Sequence, residues 1–317
     1  MPKAVVTGGA GFIGSTLAQR LRDEGWDVIC IDRLSDYYDP DIKRRSVRTI
    51  EEAGVRVRIE DLLTADLPAL IEGADAVFHQ AGQPGVRASW GGGFAVYVRD
   101  NILATQILLE AAIRAGVQRF VYASSSSVYG DSDDFPFTEK SLPVPRSPYG
   151  VTKLAGEHLV NLYAANHSLS TVSLRYFTVY GPRQRPDMAT YRLIECALGR
   201  GSFILNGDGS QERDFTFVDD IVEANVLAAA ADIAPGSVLN LGGGSIVSMR
   251  ELIGLIEEVV GRPIIIEPGG DQPGDVRRTG ADTTQARAML GWEPRIPLRE
   301  GIIEQVAWHR SREPVSV

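Results

Sequence analysis

The chain has 317 residues, 44% of them apolar, and a net charge of −9 with a pI near 5.1. That is enough for a substantial core in one large domain or two of ordinary size. No basic stripe offers itself to nucleic acid or an anionic membrane surface, although locally gathered arginines would suit a small anionic substrate. Two isolated cysteines, Cys30 and Cys196, form neither a disulfide framework nor a metal spacing, which fits a reducing compartment. The four histidines, His79, His158, His167 and His309, show no ligand spacing either, so no metal is expected. No apolar run approaches the ~20 residues that span a bilayer. The chain enters a strand at once, leaving no room for a signal peptide, and a cytoplasmic protein is expected.

The first strand is KAVVTG, followed by a helix through FIGSTLAQRLRDEG that stops at Gly25. DVICID, VRVRIED, ADAVFHQAG and RFVYASSS read as further strands, with helices near 41–53 and 96–115 between them. Helix 149–166 and the strand TVSLRYF follow. Near-continuous apolar strands alternating with helices predict an α/β, doubly wound (Rossmann) parallel sheet covered on both faces. Its crossovers should be right-handed and its ligand crevice should lie at the carboxyl ends of the strands. After residue 178 the loops turn rich in Gly, Pro and Arg. Later elements include VSMRELIGLIEEVVG, with Ser248 and Glu251 spaced as a capping box and Gly261 as its stop, then TQARAMLG and LREGIIEQVAWH. We expect a sheet domain from 1–177 with 217–241, and a smaller α/β substrate domain from 178–216 with 242–317.

Two motifs carry chemistry. Gly8, Gly11 and Gly14 follow the first strand and open the first helix, where small residues let a backbone approach a pyrophosphate at a helix N-terminus. Asp32 ends the second strand about 20 residues on, where an acid accepts from the adenosine ribose hydroxyls. That acid favours NAD over NADP; Arg33 beside it argues the other way. Further along, Tyr149 and Lys153 stand one helical turn apart, after the serine run Ser124–Ser127. An ammonium beside a phenol favours the phenolate, so Lys153 is expected to lower the pKa of Tyr149 and make it a base.

TGGAGFIG, the DLL at 61–63, HQAG at 79–82, Asn101, SSSSVYG at 124–130, Tyr149 with Lys153, and RDFTFVDD at 213–220 resemble the extended short-chain dehydrogenase/reductases. The likeness runs along essentially the whole chain and is closest to the NAD-dependent nucleotide-sugar epimerases and dehydratases. It implies NAD contacts from Gly8, Gly11, Phe12, Ile13 and Gly14, from Asp32, Arg33 and Lys43, and from Asp61, at the adenine, with Leu62. It implies further contacts from Gln80, Ala81, Gly82, Ser124, Tyr149, Lys153 and Tyr176. By the same resemblance His79 packs rather than ligates, and helices 96–115 and 149–166 form a homodimer interface.

FTVYGPRQRPDMA at 177–189 and GVRASWG at 85–91 are similar to UDP-glucuronic acid 4-epimerases. Galactose epimerases carry Asn where Thr178 stands, and dehydratases carry Thr-Asp-Glu at Ser125, Ser126 and Ser127. UDP-glucuronate decarboxylases carry Glu at Ser127, and Gln272 replaces a phosphate-binding Arg of the galactose epimerases. The implied reaction interconverts UDP-glucuronic and UDP-galacturonic acids through a 4-keto sugar. Tyr149 serves as base, assisted by Ser125 and Lys153, and NAD stays bound between turnovers. The substrate is expected to touch Arg87, Ser125, Ser126, Ser127, Tyr149, Thr178, Arg185, Arg192, Arg213 and Asp275. A UDP-glucuronate decarboxylase, a UDP-glucose/galactose 4-epimerase and an NAD-binding redox sensor remain as alternatives.

Overall fold

In the first strand, alternate residues divide between two cores. Ala4 and Val6 face Cys30, Phe78 and Val121, whereas Val5 faces Ile29, Ile31, Val77 and Phe120. This is the period of two that a strand buried on both faces imposes. The computed structural model describes residues 1–167, 169–270 and 272–312.

The first half runs β1 (Lys3–Thr7), α1 (Phe12–Asp23), β2 (Asp27–Asp32), α2 (Pro40–Glu52), β3 (Arg56–Ile59), α3 (Leu67–Ile71) and β4 (Ala76–His79). It continues with α4 (Phe94–Tyr97), α5 (Ala104–Arg114), β5 (Arg119–Ser125), α6 (Pro148–His167) and β6 (Ser170–Tyr176). Then come β7 (Thr178–Tyr180), α7 (Ala189–Ala197), β8 (Phe203–Asn206), β9 (Glu212–Phe217), α8 (Val218–Ala230) and β10 (Ser237–Leu241). The last elements are β11 (Ser245–Ser248), α9 (Met249–Val260), β12 (Ile266–Gly269), α10 (Thr284–Leu290) and α11 (Leu298–Arg310).

The main sheet has seven strands in the order β10-β6-β5-β4-β1-β2-β3, and every pairing is parallel. Strand order reverses between β1 and β4, so the crevice opens above the ends of those strands. This is the expected doubly wound sheet, with β10 returning to its edge as expected. Two small sheets, β11-β9-β7 and β12-β8, lie outside it.

Local signals set several boundaries. Ser248 and Glu251 close a capping box at the start of α9, and Gly261 ends that helix at φ +80°. Asp39 caps α2 by accepting from the Asp41 N–H at 2.9 Å, with Pro40 in the first turn.

The helix expected over 96–115 departs from the pattern. Between α4 and α5 the chain makes a π-helical turn over Val98–Leu103. The cause is tertiary. Buried Asn101 accepts from the Gln83 N–H at 2.6 Å, and donates to the Gln83 carbonyl at 3.1 Å and to the Thr152 hydroxyl at 2.9 Å. These bonds to a loop and to α6 fix its side chain. Among the described residues, no helix is long and apolar enough to cross a membrane.

Candidate active site

The β1–α1 turn floors a long groove. Gly8 has φ +68°, and a Cβ there would stand 2.8 Å from the Ala81 nitrogen. A Cβ on Gly14 would lie 2.2 Å from the Gly8 carbonyl oxygen, so neither position admits a side chain without moving backbone. The N-terminus of α1 at Gly11 has no side-chain cap, which leaves its first-turn N–H groups for an anion. Phe12, Ile13, Leu62, Gln80, Ala81 and Gly82 line the same groove. A pyrophosphate fits that turn.

At the far end of the groove, Asp32 accepts from the Ala10 N–H at 3.1 Å and the Leu34 N–H at 2.8 Å, one bond to each oxygen. A carboxylate has room for more donors. Arg33 donates to Asp100 at 2.6 Å and reaches Asp61 at 3.4 Å; Arg99 also pairs with Asp61. Asp61 therefore lines the groove as one member of an ion-pair cluster. Lys43 donates to Ser35 at 2.8 Å and lies 5.0 Å from the centre of the Tyr38 ring; burial pushes its pKa down. Tyr37 and Tyr38 complete this wall, and sequence reasoning missed both. The signal was the aromatic pair five and six positions after the β2 acid.

Tyr149 stands where the groove meets a second cavity; Ser124, Tyr176 and Arg185 are shared between the two. The second cavity is lined by Ser125, Ser126, Ser127, Thr178, Arg213 and Asp275 among others. The hydroxyls come from the end of β5, from the turn after it and from the start of β7, which pairs with β9 in a small sheet. Ser125 caps that turn, accepting from the Ser127 N–H at 3.1 Å. Arg213 is half-buried and donates to the Glu212 carbonyl at 2.8 Å. Arg146, which the sequence did not single out, joins the lining.

The expected electrostatics of the pair need correction. Burial raises the pKa of Tyr149 above its ordinary value; the Ser125 hydroxyl and the Arg185 charge pull it partway back. Lys153 lines the same groove. Its Nζ lies 4.6 Å from the centre of the Tyr122 ring, and burial pushes its pKa down to about 8 against the opposing pull of Glu157. One helical turn brings two Cα atoms to one face, but here the lysine head turns toward β5.

Arg192 is a second correction. It lines neither cavity; its guanidinium lies 5.3 Å from the centre of the Phe203 ring. Arg87 lines neither cavity either; it donates to the lining residue Asp275 at 3.1 Å with about half its side chain exposed. Ser124 donates to the buried Glu157 at 2.8 Å, and Glu157 is also paired with Arg175. Tyr176 and Gln80 meet in a polar triangle closed by Asn225, at 3.0 and 2.9 Å from the Asn225 amide oxygen. Asn225 gave no sequence signal, since it lies mid-helix in α8. His79 is fully buried between the Thr7 and Thr105 hydroxyls, at 2.7 and 3.0 Å, and packs as expected.

An uncapped helix over a glycine cradle, an acid at the far end of the groove and a tyrosine one helical turn from a buried lysine, beside a second, hydroxyl-rich cavity, define a dinucleotide enzyme with an adjoining substrate site. Residues 4–242 match the NAD dependent epimerase/dehydratase family, and the chain belongs to that family. It is 41% identical over 311 residues to the uncharacterized UDP-glucose epimerase YtcB of Bacillus subtilis (strain 168), covering 96% of this chain and 97% of that one. The crystal structure of UDP-glucuronic acid 4-epimerase from Bacillus cereus, in complex with UDP-glucuronic acid and NAD, superposes with a TM-score of 0.94. Its identity is 39%, with 98% and 99% of the two chains covered. MoeE5, solved with UDP-glucuronic acid and NAD, is 44% identical with a TM-score of 0.89 over 98% and 99%.

Proposed function

We propose that this chain is an NAD-dependent isomerase, a 4-epimerase interconverting UDP-glucuronic and UDP-galacturonic acids through a transient 4-keto sugar. One observation carries the reading: the cavity beside Tyr149 is furnished with hydroxyls and arginines, and each acid among its described lining residues is already paired. Asp187 is held by Arg185 and Asp275 by Arg87. No free carboxylate is left there to remove water or to drive off CO₂. The relatives named with UDP-glucuronic acid support the same substrate.

NAD, when bound, supplies a reversible hydride acceptor. The groove fits it: Gly8, Gly11 and Gly14 with the α1 N-terminus would hold its pyrophosphate, Asp32 a ribose, and Lys153 the ribose nearer Tyr149. Arg33 is occupied by Asp100, so it is not free to offset the charge of Asp32, which favours NAD over NADP. Tyr149 takes the proton of the substrate C4 hydroxyl at its phenol oxygen and returns it. The Ser125 hydroxyl steadies that oxygen, since a hydrogen bond to the charged form favours ionisation. Arg213 serves the diphosphate, where a fork-shaped guanidinium suits phosphate oxygens.

Oxidation at C4 makes a β-keto acid, which loses CO₂ when its C5–carboxylate bond stands perpendicular to the carbonyl. Ser126, Ser127 and Thr178 donate to that carboxylate and hold it out of this orientation. Hydrogen bonds to a charged group contribute ~1.5–3 kcal/mol each, enough to select one rotamer.

The proposal includes a dinucleotide domain over 1–177 with 217–241 and a substrate domain over 178–216 with 242–317, supported by the place of β10 in the main sheet. A cytoplasmic homodimer completes the proposal. Its support is the run of outward apolar side chains on the two helical segments, including Val98, Leu103, Val151 and Leu162. The decisive experiment is incubation of purified protein with UDP-glucuronic acid, without added NAD, followed by product separation. UDP-galacturonic acid is the expected product; a UDP-pentose, or no reaction, overturns the reading.

A further inference from the structure

Arg185 lies in the wall shared by the cofactor groove and the sugar cavity. Its Nε donates to Asp187 Oδ1 at 3.0 Å and its Nη2 to Asp187 Oδ2 at 3.0 Å. This is a fork on a fork, the strongest geometry for the pair. Across the groove the Tyr37 hydroxyl stands 3.4 Å from the same Oδ2, so the loop after β2 backs the carboxylate from the side of the cofactor. A guanidinium has five N–H donors on two usable edges. Asp187 consumes the Nε/Nη2 edge. The Nη1/Nη2 edge keeps three hydrogens and is the one left to the cavities.

We propose that Asp187 is a positioning residue for carboxylate selectivity: by gripping one edge of Arg185 it aims the opposite edge at the acid group of a UDP-uronic acid. This rests on the substrate reading above and adds to it the residue that sets preference for a charged sugar. A free arginine on a long stem would lose rotamer entropy on meeting the substrate; one already clamped has lost it beforehand. A neutral hydroxymethyl group at the same place offers one acceptor atom and no charge, so the clamp helps it little.

The test uses the NAD-loaded protein and calorimetric Kd values for UDP-glucuronic acid, UDP-glucose and UDP. Wild type is expected to favour the uronic acid over UDP-glucose by at least about tenfold, the worth of one charge-assisted hydrogen bond. Asp187→Asn should lower that ratio by about fivefold to tenfold, the hydroxyls of Ser126, Ser127 and Thr178 keeping the rest, while UDP and UDP-glucose binding change less than about twofold. Asp187→Glu, which restores a fork, should recover part of the preference. Arg185→Lys keeps the charge but not the planar edge, and should lose the preference as Asp187→Asn does. An unchanged ratio in Asp187→Asn, or an equal loss for all three ligands, overturns the positioning role. A wild type without preference for the uronic acid instead overturns the substrate reading, and the positioning role falls with it.

Discussion

Arg33 donates to Asp100 at 2.6 Å, and this bond gives the cation that follows Asp32 in sequence an acid of its own. The acid and the base that follow one another in sequence thus act in separate places. The consequence is cofactor choice. Asp32→Ala should weaken NAD binding by roughly 10–100-fold, the loss of one or two bonds to a carboxylate, while NADP binding weakens far less. Calorimetry on protein stripped of cofactor reads both constants; equal losses would remove Asp32 from the choice.

Tyr149→Phe should keep the fold and bind UDP-glucuronic acid with little change, yet lose about 10²–10⁴-fold in turnover. The phenol hydroxyl meets the Ser125 hydroxyl, a bond within the site rather than one that holds the fold. Steady-state rates together with ligand binding separate the two effects, and near wild-type turnover would contradict the assignment.

Thr178→Val and Ser127→Glu should each raise the decarboxylated share of product. The first removes a donor to the substrate carboxylate and the second places a like charge beside it. Mass spectrometry gives the ratio of UDP-pentose to epimer. Loss of activity in both variants with that ratio unmoved would leave these hydroxyls a binding role only.

His79 sets part of the acid stability. It is fully buried, and desolvation with the nearby Lys153 charge pushes its pKa down to about 3 from 6.5. Between those values the unfolded chain binds a proton that the folded chain refuses. The contribution of this group is therefore complete above pH 6.5 and is lost as pH falls toward 3, at about 1.4 kcal/mol per pH unit. Denaturant melts from pH 6.5 to 4.5 should show this slope. His79→Leu should be less stable near pH 7 and flatter through that window by about one proton; the same slope in both proteins would refute the idea.

Glu157 and Arg175 form a buried pair under the site, at 3.0 Å from Arg175 Nε to Glu157 Oε2. Glu157→Gln should cost roughly 3–5 kcal/mol, because it leaves a buried guanidinium without its partner. Chemical denaturation measures the loss, and a change below about 1 kcal/mol would show that water or Tyr129 satisfies Arg175 instead.

What was legible in the sequence divides by range. The capping box at Ser248 and Glu251, the stop at Gly261 and the β1–α1 turn depend on neighbours within a few residues, and all were readable. So was the parallel sheet, because burial on both faces writes itself into every strand. Arg192 was misjudged because its partner, Phe203, arrives through the packing of β8. The direction of the Lys153 head depends on Tyr122 in another strand, and spacing along α6 says nothing of it. Tyr37 and Asp187 lie 150 positions apart, and neither carries a local mark of the other. Residues that touch the site through chain reversal have no sequence signature short of the fold itself.

The π turn at Val98–Leu103 makes one further point about how this site is tuned. An α-helix advances about 100° per residue, and a π turn holds one residue more than that winding allows. Removing a single residue from the turn would let α4 and α5 run on as one regular helix. It would also rotate everything before the turn, Tyr97 included, by about 100° against everything after it. Tyr97 now meets the Tyr149 ring edge-on at 6.2 Å and donates to the Pro84 carbonyl at 2.7 Å. The wall around the base is thus indexed by a count of residues as well as by their identities. An insertion or deletion here would act as a gear change, resetting which side chain faces Tyr149 without altering any residue that touches it.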